Sequence, residues 1–384
     1  MIQPLLPSEL GGIPLARGVR AGDWIFATGV YGEATVDPLR PLSGEPKSHL
    51  EARSMYARAL EVLQAGGADF PGVLRTDQYF ADYHAVPFLH QARREACGNY
   101  IAPSTSVLVP RLLRADAGMT MDLVATRGKA TPLFPDQLDL PSTSSFAPVA
   151  MAGDFVFVAG FLAAQGVGDL GGIAPEAKVP EGHLWKGNRI QLEADYLIRR
   201  KLIPALKGAG CALADVVKAS VYLTDIHDVP AFNQVWRRHF GADIPATTFI
   251  PVSNPGLAIA DARCEINLIA YKGTKRRVSS RLTPVCDGHP IAVQAGDLLF
   301  FSGAMGAEAI NVFSEICRAA GTSLENAVRI QLFHTDIADF SASCKAWQKR
   351  LPKRPLPISA LQVPGPLIIP GATVQVDCWV YAGR

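Results

Sequence analysis

The sequence predicts an α+β protein built from three copies of one unit, each with helices layered on one face of a sheet. Two signatures, each occurring three times in the same order, carry that prediction. The first is GCALADVVKASVYLTD at residues 210–225, matched by GADFPGVLRTDQYFAD at 67–82 and GTSLENAVRIQLFHTD at 321–336, with the same glycine-to-aspartate spacing in all three. The second is AGDWIFATG from Ala21, AGDFVFVAG from Ala152 and AGDLLFFSG from Ala295. Repetition at this period makes each copy a structural unit and sets the fold class before any single element is placed.

The elements follow in order. Unit 1 (residues 1–128) opens with a strand at 23–28 that stops at Gly29, and a Pro- and Gly-rich loop follows at 37–44. Residues 50–65 carry apolar side chains at helical spacing and end at Gly66-Gly67, a C-cap signal. A strand at 74–81 leads to a second helix that starts near Pro87 and reaches Cys97, then to strands at 106–113 and 119–126. Residues 129–145, with three prolines, read as a connector.

Unit 2 (146–273) repeats the plan, with a strand at 154–159 and a loop enlarged by residues 166–187. Asn188 with Gln191 has the form of a capping box opening a helix to about Ala209, which Pro204 should kink. A second helix begins at Pro230, and the last strand is 262–271. A second connector, 274–288, is basic and reads as solvated. Unit 3 (289–384) is the shortest, its loop after Gly303 reduced to a few residues, and its last strand is 373–381.

Composition narrows the function classes. Lys+Arg 37 against Asp+Glu 35 gives no basic field, so charge does not point to nucleic acid. Seven cysteines stand at 97, 211, 264, 286, 317, 344 and 378 without a CxxC pair. That argues against a disulfide framework or a zinc site and for a reducing compartment. Neither a basic, apolar leader nor a membrane-length apolar run is visible, so the expectation is a cytoplasmic protein with no membrane partner.

The helix-AG-turn-DVVKASVYLTD-helix run, followed by PATTFIPVSNPGL and CEINLIAYKG, resembles the Rid (YjgF/endoribonuclease L-PSP) family over all of unit 2, and more loosely in units 1 and 3. That family has small chorismate-mutase-like α+β domains that assemble as homotrimers around a central barrel, with helices outside and a ligand cleft between neighbours. The resemblance therefore implies a single-chain pseudo-trimeric barrel, either monomeric or a dimer of pseudo-trimers. It also implies hydrolysis of enamines and imines without metal or cofactor, where a guanidinium pins the substrate carboxylate and an acid handles the water. Fused three-unit barrels also occur among ring-opening amidohydrolases of the cyanuric acid hydrolase type, but their serine–lysine pattern has no convincing match here.

The family's positions are filled unevenly. Where the motif has arginine after Pro-Ala, this chain has Thr105, Thr247 and Ile358. At the acid position of the last strand stand Asp122, Asn267 and Asp377, with Glu265 two residues before Asn267 on the same strand face. The small residue before the loop glycine is Thr28, Ala159 or Ser302. The helix asparagine survives as Asn233 and becomes His90 and Cys344, and the early aromatic becomes Leu15, Phe146 and His289.

The expected catalytic groups are thus Asp122, Glu265 and Asp377, with chemistry ranked first to the clefts holding Asp122 or Glu265. Thr105 and Thr28 are expected beside Asp122. Substrate contacts are expected from Thr28, His90, Thr105, Phe146, Asn233, Thr247, Asn267 and Ser302. Trp185-Lys186 is the candidate lid, and Arg17, Lys186 and Arg189 are the cations that could replace the arginine. Two readings stay open: a small-molecule C–N hydrolase, and a ligand-binding protein whose catalytic sites have decayed. A ribonuclease reading follows only from the family's older name.

Overall fold

The structure is a computed structural model that describes residues 2–35, 39, 44–140, 146–165, 171–183, 185–278, 286, 288–306, 308–352 and 354–383. Parts of the two expected connectors and of the inserted loop, including residues 166–170 and 184, lie outside the described residues.

In chain order the first set of elements is β1 (Ile2–Leu10), β2 (Ile13–Ala21), β3 (Trp24–Val30), α1 (Lys47–Gly66), β4 (Val73–Phe80), α2 (Val86–Cys97), β5 (Ser104–Leu108), β6 (Arg111–Leu112) and β7 (Met119–Thr126). The second is β8 (Thr131–Leu133), β9 (Val149–Ala152), β10 (Phe155–Leu162), α3 (Arg189–Leu197), α4 (Ile203–Gly208), β11 (Val216–Leu223), α5 (Val229–Phe240), β12 (Ala246–Pro251) and β13 (Cys264–Tyr271). The third is β14 (Lys275–Val278), β15 (Ala292–Ala295), β16 (Leu298–Phe301), β17 (Ala304–Met305), α6 (Ala309–Ala319), β18 (Ala327–His334), α7 (Phe340–Arg350), β19 (Ile358–Gln362) and β20 (Val374–Tyr381).

Three sheets result, with one strand order between them. They run β1-β2-β3-β7-β4-β5, β8-β9-β10-β13-β11-β12 and β14-β15-β16-β20-β18-β19, and β6 of the first set is added to the edge of the third. In each, one strand lies antiparallel to the last strand and parallel to the strand that follows it in the chain: β4–β5, β11–β12 and β18–β19. The expected barrel is not closed among the described residues; backbone pairing leaves three open sheets. The expected connectors also contribute strands, since β8 and β14 pair with β9 and β15.

Helices cover one face of each sheet. Met55, Ala59 and Leu89 of α1 and α2 bury against Ile25, Met121 and Leu123. Leu197, Phe232 and Trp236 of α3 and α5 bury against Val156 and Ala219, and Phe313, Cys344 and Trp347 of α6 and α7 against Phe301 and Ile330. The opposite faces meet one another in a shared core to which every sheet contributes: Phe26, Leu74 and Val124 from the first, Phe157, Val217 and Ile269 from the second, Phe300, Val328 and Trp379 from the third. The alternation of strand side chains makes both faces apolar, which is why these strands read as near-continuous hydrophobic runs.

Two local details correct the sequence reading. α1 ends as its glycines indicate, with Gly67 in the left-handed region at φ 84°. Asn188 does cap α3, its Oδ1 accepting from the Ile190 N–H at 3.1 Å. The capping box is incomplete, because Gln191 turns instead to Gln234 and the Ala231 carbonyl. At Pro204, where a kink is expected, the helix departs from regular α geometry without ending. A π-turn over Ile198–Leu202 joins α3 to α4, and the Ile203 N–H reaches the Ile198 carbonyl just ahead of the proline.

Candidate active site

The site is prepared by one position in the triplicated middle strand. Arg75, Lys218 and Arg329 occupy the same place in β4, β11 and β18, on the face turned away from the helices, and all three are buried. Each reaches the last strand of the following unit in a closed cycle. Arg75 donates to Asn267 Oδ1 at 3.0 Å, Lys218 Nζ to Asp377 Oδ1 at 2.6 Å, and Arg329 lies 3.6 Å from Asp122 Oδ2 and 2.5 Å from Asp77 Oδ2. Three cations thus face three carboxylates, Asp77, Asp122 and Asp377. A buried charge persists only when paired and hydrogen-bonded, and this network meets that condition. The Trp379 ring adds a π face 5.3 Å from Arg75 and 4.8 Å from Arg329.

Asp122 and Asp377 are both held in this network. Asp122, 1% exposed, accepts from the Gly29 N–H at 2.6 Å, from Ser359 Oγ at 2.7 Å and from Gln331 Nε2 at 2.7 Å. Burial pushes its pKa up, with Arg329, the Gly29 N–H and Ser359 opposing. Asp377 accepts from Lys218 and, at 3.2 Å, from Thr248 Oγ1. The hydroxyl beside Asp122 is therefore Ser359, not Thr105. Thr28 is buried, and its Oγ1 has no hydrogen-bond partner among the described residues. Thr105 lies at a different contact, where its Oγ1 accepts from Asn267 Nδ2 at 2.9 Å.

That contact, between units 1 and 2, also holds Glu265. Its side chain is 5% exposed and has neither a hydrogen bond nor an ion pair among the described residues. β10 pairs with β13 through a register shift between Val158 and Phe161, which presents Gly160 to the carboxyl. A Cβ on Gly160 would run into Glu265 Oε1 and Thr105 Oγ1, so glycine is what makes the approach possible. Burial, and then the negative charge of Asp77, push the Glu265 carboxyl up to about 8. The matching positions of the other two last strands hold no acid. Thr120 donates to the Val30 carbonyl at 3.1 Å, and Gln375 Nε2 to the Phe249 carbonyl at 2.8 Å.

The other two contacts are likewise crossed by direct bonds. Between units 2 and 3, His289 Nε2 and Asn233 Oδ1 are 2.6 Å apart, and Ser302 Oγ accepts from the Thr247 N–H at 3.0 Å and donates to the Pro290 carbonyl at 2.6 Å. Asn233 and Ser302 are thus brought into one contact, and Thr247, Ser302, His289 and Gln375 line a small pocket there. Between units 3 and 1, Leu15 bridges Leu356 in parallel and the Ala16 N–H reaches the Leu356 carbonyl at 2.9 Å.

The remaining expected residues are peripheral. Phe146 packs at the edge of the unit 2 core, and the next residue, Ala147, donates its N–H to the Ile101 carbonyl of unit 1 at 2.8 Å. His90 on α2 is held low, at about 4, by burial and then by Arg93 and Arg94. Trp185 is 94% exposed and Lys186 is exposed beside it. Arg189 is tied to Glu193 at 3.1 Å and to the Asp261 carbonyl, and Arg17 pairs with Glu61 at 3.0 Å.

Sequence reasoning passed over Arg75, Lys218 and Arg329. A signal was present: a basic residue at the same place in three otherwise apolar strands. Among the described residues no cluster of three His, Cys, Asp or Glu could hold a metal, and no helix is long and apolar enough to cross a membrane.

Comparison with known proteins gives three kinds of match. The family model described as Endoribonuclease L-PSP matches residues 138–272. A RutC family protein of Pyrococcus horikoshii is 32% identical over 127 residues, 33% of this chain and 86% of that protein. A 2-iminobutanoate/2-iminopropanoate deaminase of Capra hircus is 40% identical over 68 residues, 18% of this chain and 47% of the deaminase, so the match spans about half of that enzyme. Among solved structures, RidA from the Antarctic bacterium Psychrobacter aligns with a TM-score of 0.28 and 22% identity, covering 37% of this chain and 98% of the RidA chain.

Proposed function

Because this chain belongs to the RutC (endoribonuclease L-PSP) family, we propose that it hydrolyses C=N bonds of small imines or enamines, and that it does so at the contact between units 1 and 2 with Glu265 as the acid–base group. One observation carries this reading: a buried, unpartnered carboxyl with a pKa raised to about 8, set against Gly160 and Thr105. A raised carboxyl pKa at a buried contact between units is what a general acid at neutral pH requires. Protonated Glu265 donates its proton to the imine nitrogen. Water then adds to the carbon, and the carboxylate takes a proton from that water. Collapse of the carbinolamine releases the amine and leaves a carbonyl compound. Asp122, which accepts on both oxygens, and Asp377, tied to Lys218, serve in this reading to hold the units together.

The chain as a whole is in this view a fused trimer, with unit boundaries at 1–128, 146–273 and 289–384. The shared strand order and the cyclic cation contacts support it. The goat relative is named for 2-iminobutanoate and 2-iminopropanoate. Thr105 stands where a guanidinium would hold such a carboxylate. The missing charge-assisted bonds, worth about 1.5–3 kcal/mol, should leave this protein a poor catalyst for 2-imino acids.

The test is an assay of amine release from a panel of imines with and without a carboxylate. Glu265→Gln should abolish turnover, and the wild-type rate should fall above pH 8. Full activity in Glu265→Gln would remove the proposal. The threonines at the arginine positions favour a second reading, ligand binding without turnover. Saturable binding of an imine analogue with no amine release would establish it.

A further inference from the structure

The three units differ most where their two helices meet. In unit 2, α5 buries Phe232 and Val235 against α3 and the sheet. Counted from the aspartates before each helix, Asp228 and Asp339, the matching positions of α7 are Ser343 and Ala346. Two large apolar side chains have become small ones. The first helix has also shrunk, from 20 residues in α1 to 11 in α6. The last residue of α7 is tied to the middle of α6, with Arg350 Nε donating to Ser314 Oγ at 3.0 Å. At their near ends they stand apart, over a cavity of about 290 Å³ floored by Leu332, Trp347 and Val376. That volume lies at the lower edge of the roughly 300–1,000 Å³ of small-molecule pockets.

The polar groups around this cavity share one character. Asp339 is the one charged side chain among the lining residues, it lies exposed at the mouth, and Ser343 and Thr373 supply hydroxyls. His334 adds an independent observation. It is 0% exposed, and neither ring nitrogen has a partner among the described residues. The strand register sets it opposite Val374 and on the same face as Leu332, both of which line the cavity. Its counterparts in the other units are the apolar Phe80 and Leu223. A buried polar group without a partner calls for an explanation in a native fold. Burial holds this imidazole below its usual pKa, so at neutral pH one nitrogen can accept a hydrogen bond.

We propose that the groove between α6 and α7 is a second small-molecule site, separate from Glu265, and that it takes a primary amine with a compact apolar or aromatic body. The apolar floor receives the body. The ammonium is met by the Asp339 carboxylate and by the Ser343 and Thr373 hydroxyls, whereas a carboxylate of the same shape would meet negative charge.

Calorimetric titration with 2-phenylethylamine, beside its carboxylate counterpart 3-phenylpropionate, tests this. Wild-type protein and Glu265→Gln should bind the amine saturably with equal affinity and should not bind the acid. Ser343→Phe, which restores the unit 2 residue, should weaken the amine at least tenfold, and Asp339→Asn at least fivefold. Should Ser343→Phe fail to fold, Ala346→Val narrows the same groove with a smaller change. Absence of saturable amine binding, equal binding of the acid, or unchanged amine affinity in the groove variants would each overturn the proposal.

Discussion

Glu265 holds its proton through a range in which an unfolded chain would release it, and this has a consequence that does not depend on any substrate. Its folded pKa of about 8 lies above the ordinary 4.5. The stabilisation from binding that proton is full below pH 4.5 and is lost as pH rises through about 8. Denaturation midpoints measured from pH 5 to 9 should therefore fall in wild type, and Glu265→Gln should flatten that fall. The size expected is on the order of a few kcal/mol, since each tenfold change in proton affinity is worth about 1.4 kcal/mol. Equal slopes in the two proteins would mean that the carboxyl titrates normally. Glu265 was legible in the sequence as an acid on the last strand. The partners of Asp122 were not, because Ser359 lies 237 residues away and Gln331 209, in another unit. Spacing inside one copy carries no information about which copy sits beside it.

Elements were read best where a strand or helix is long and periodic. β7 falls on residues 119–126 as expected, α1 ends at the glycines named for it, and α2 and α5 each begin one residue before their prolines, Pro87 and Pro230. The short lead strands β8 and β14 were read as connectors, since three or four residues show no period and their pairing with β9 and β15 defines them. β10 shows what an element contributes beyond its residues. Its register shift brings Gly160 against the acid, so Gly160→Ala should force Glu265 or Thr105 to move. The expected cost is about 1–3 kcal/mol, read by urea denaturation, together with a change in the Glu265 titration. A variant with unchanged stability and unchanged titration would place the carboxyl elsewhere.

Across the whole molecule, the buried ring of cations binds the three sheets more specifically than their apolar faces can. Arg329→Met leaves Asp122 buried without its cation and Asp77 with Arg75 alone, a change that should cost about 3–5 kcal/mol. Chemical denaturation measures it, and a loss under about 1 kcal/mol would show that the ring is dispensable. With three units already in one chain, light scattering should give the mass of one or two chains rather than three. The cyclic contacts also alter what inheritance can do. In a homotrimer, a single codon change alters every interface at once, so a substitution that improves one cleft is imposed on the other two. Here each contact is encoded by its own pair of segments: residues 104–108 with 253–267, 246–249 with 289–303, and 356–359 with 15–29. A mutation in one of these segments leaves the matching segments of the other two contacts unchanged. One contact can carry an acid where its two neighbours have threonine and glutamine.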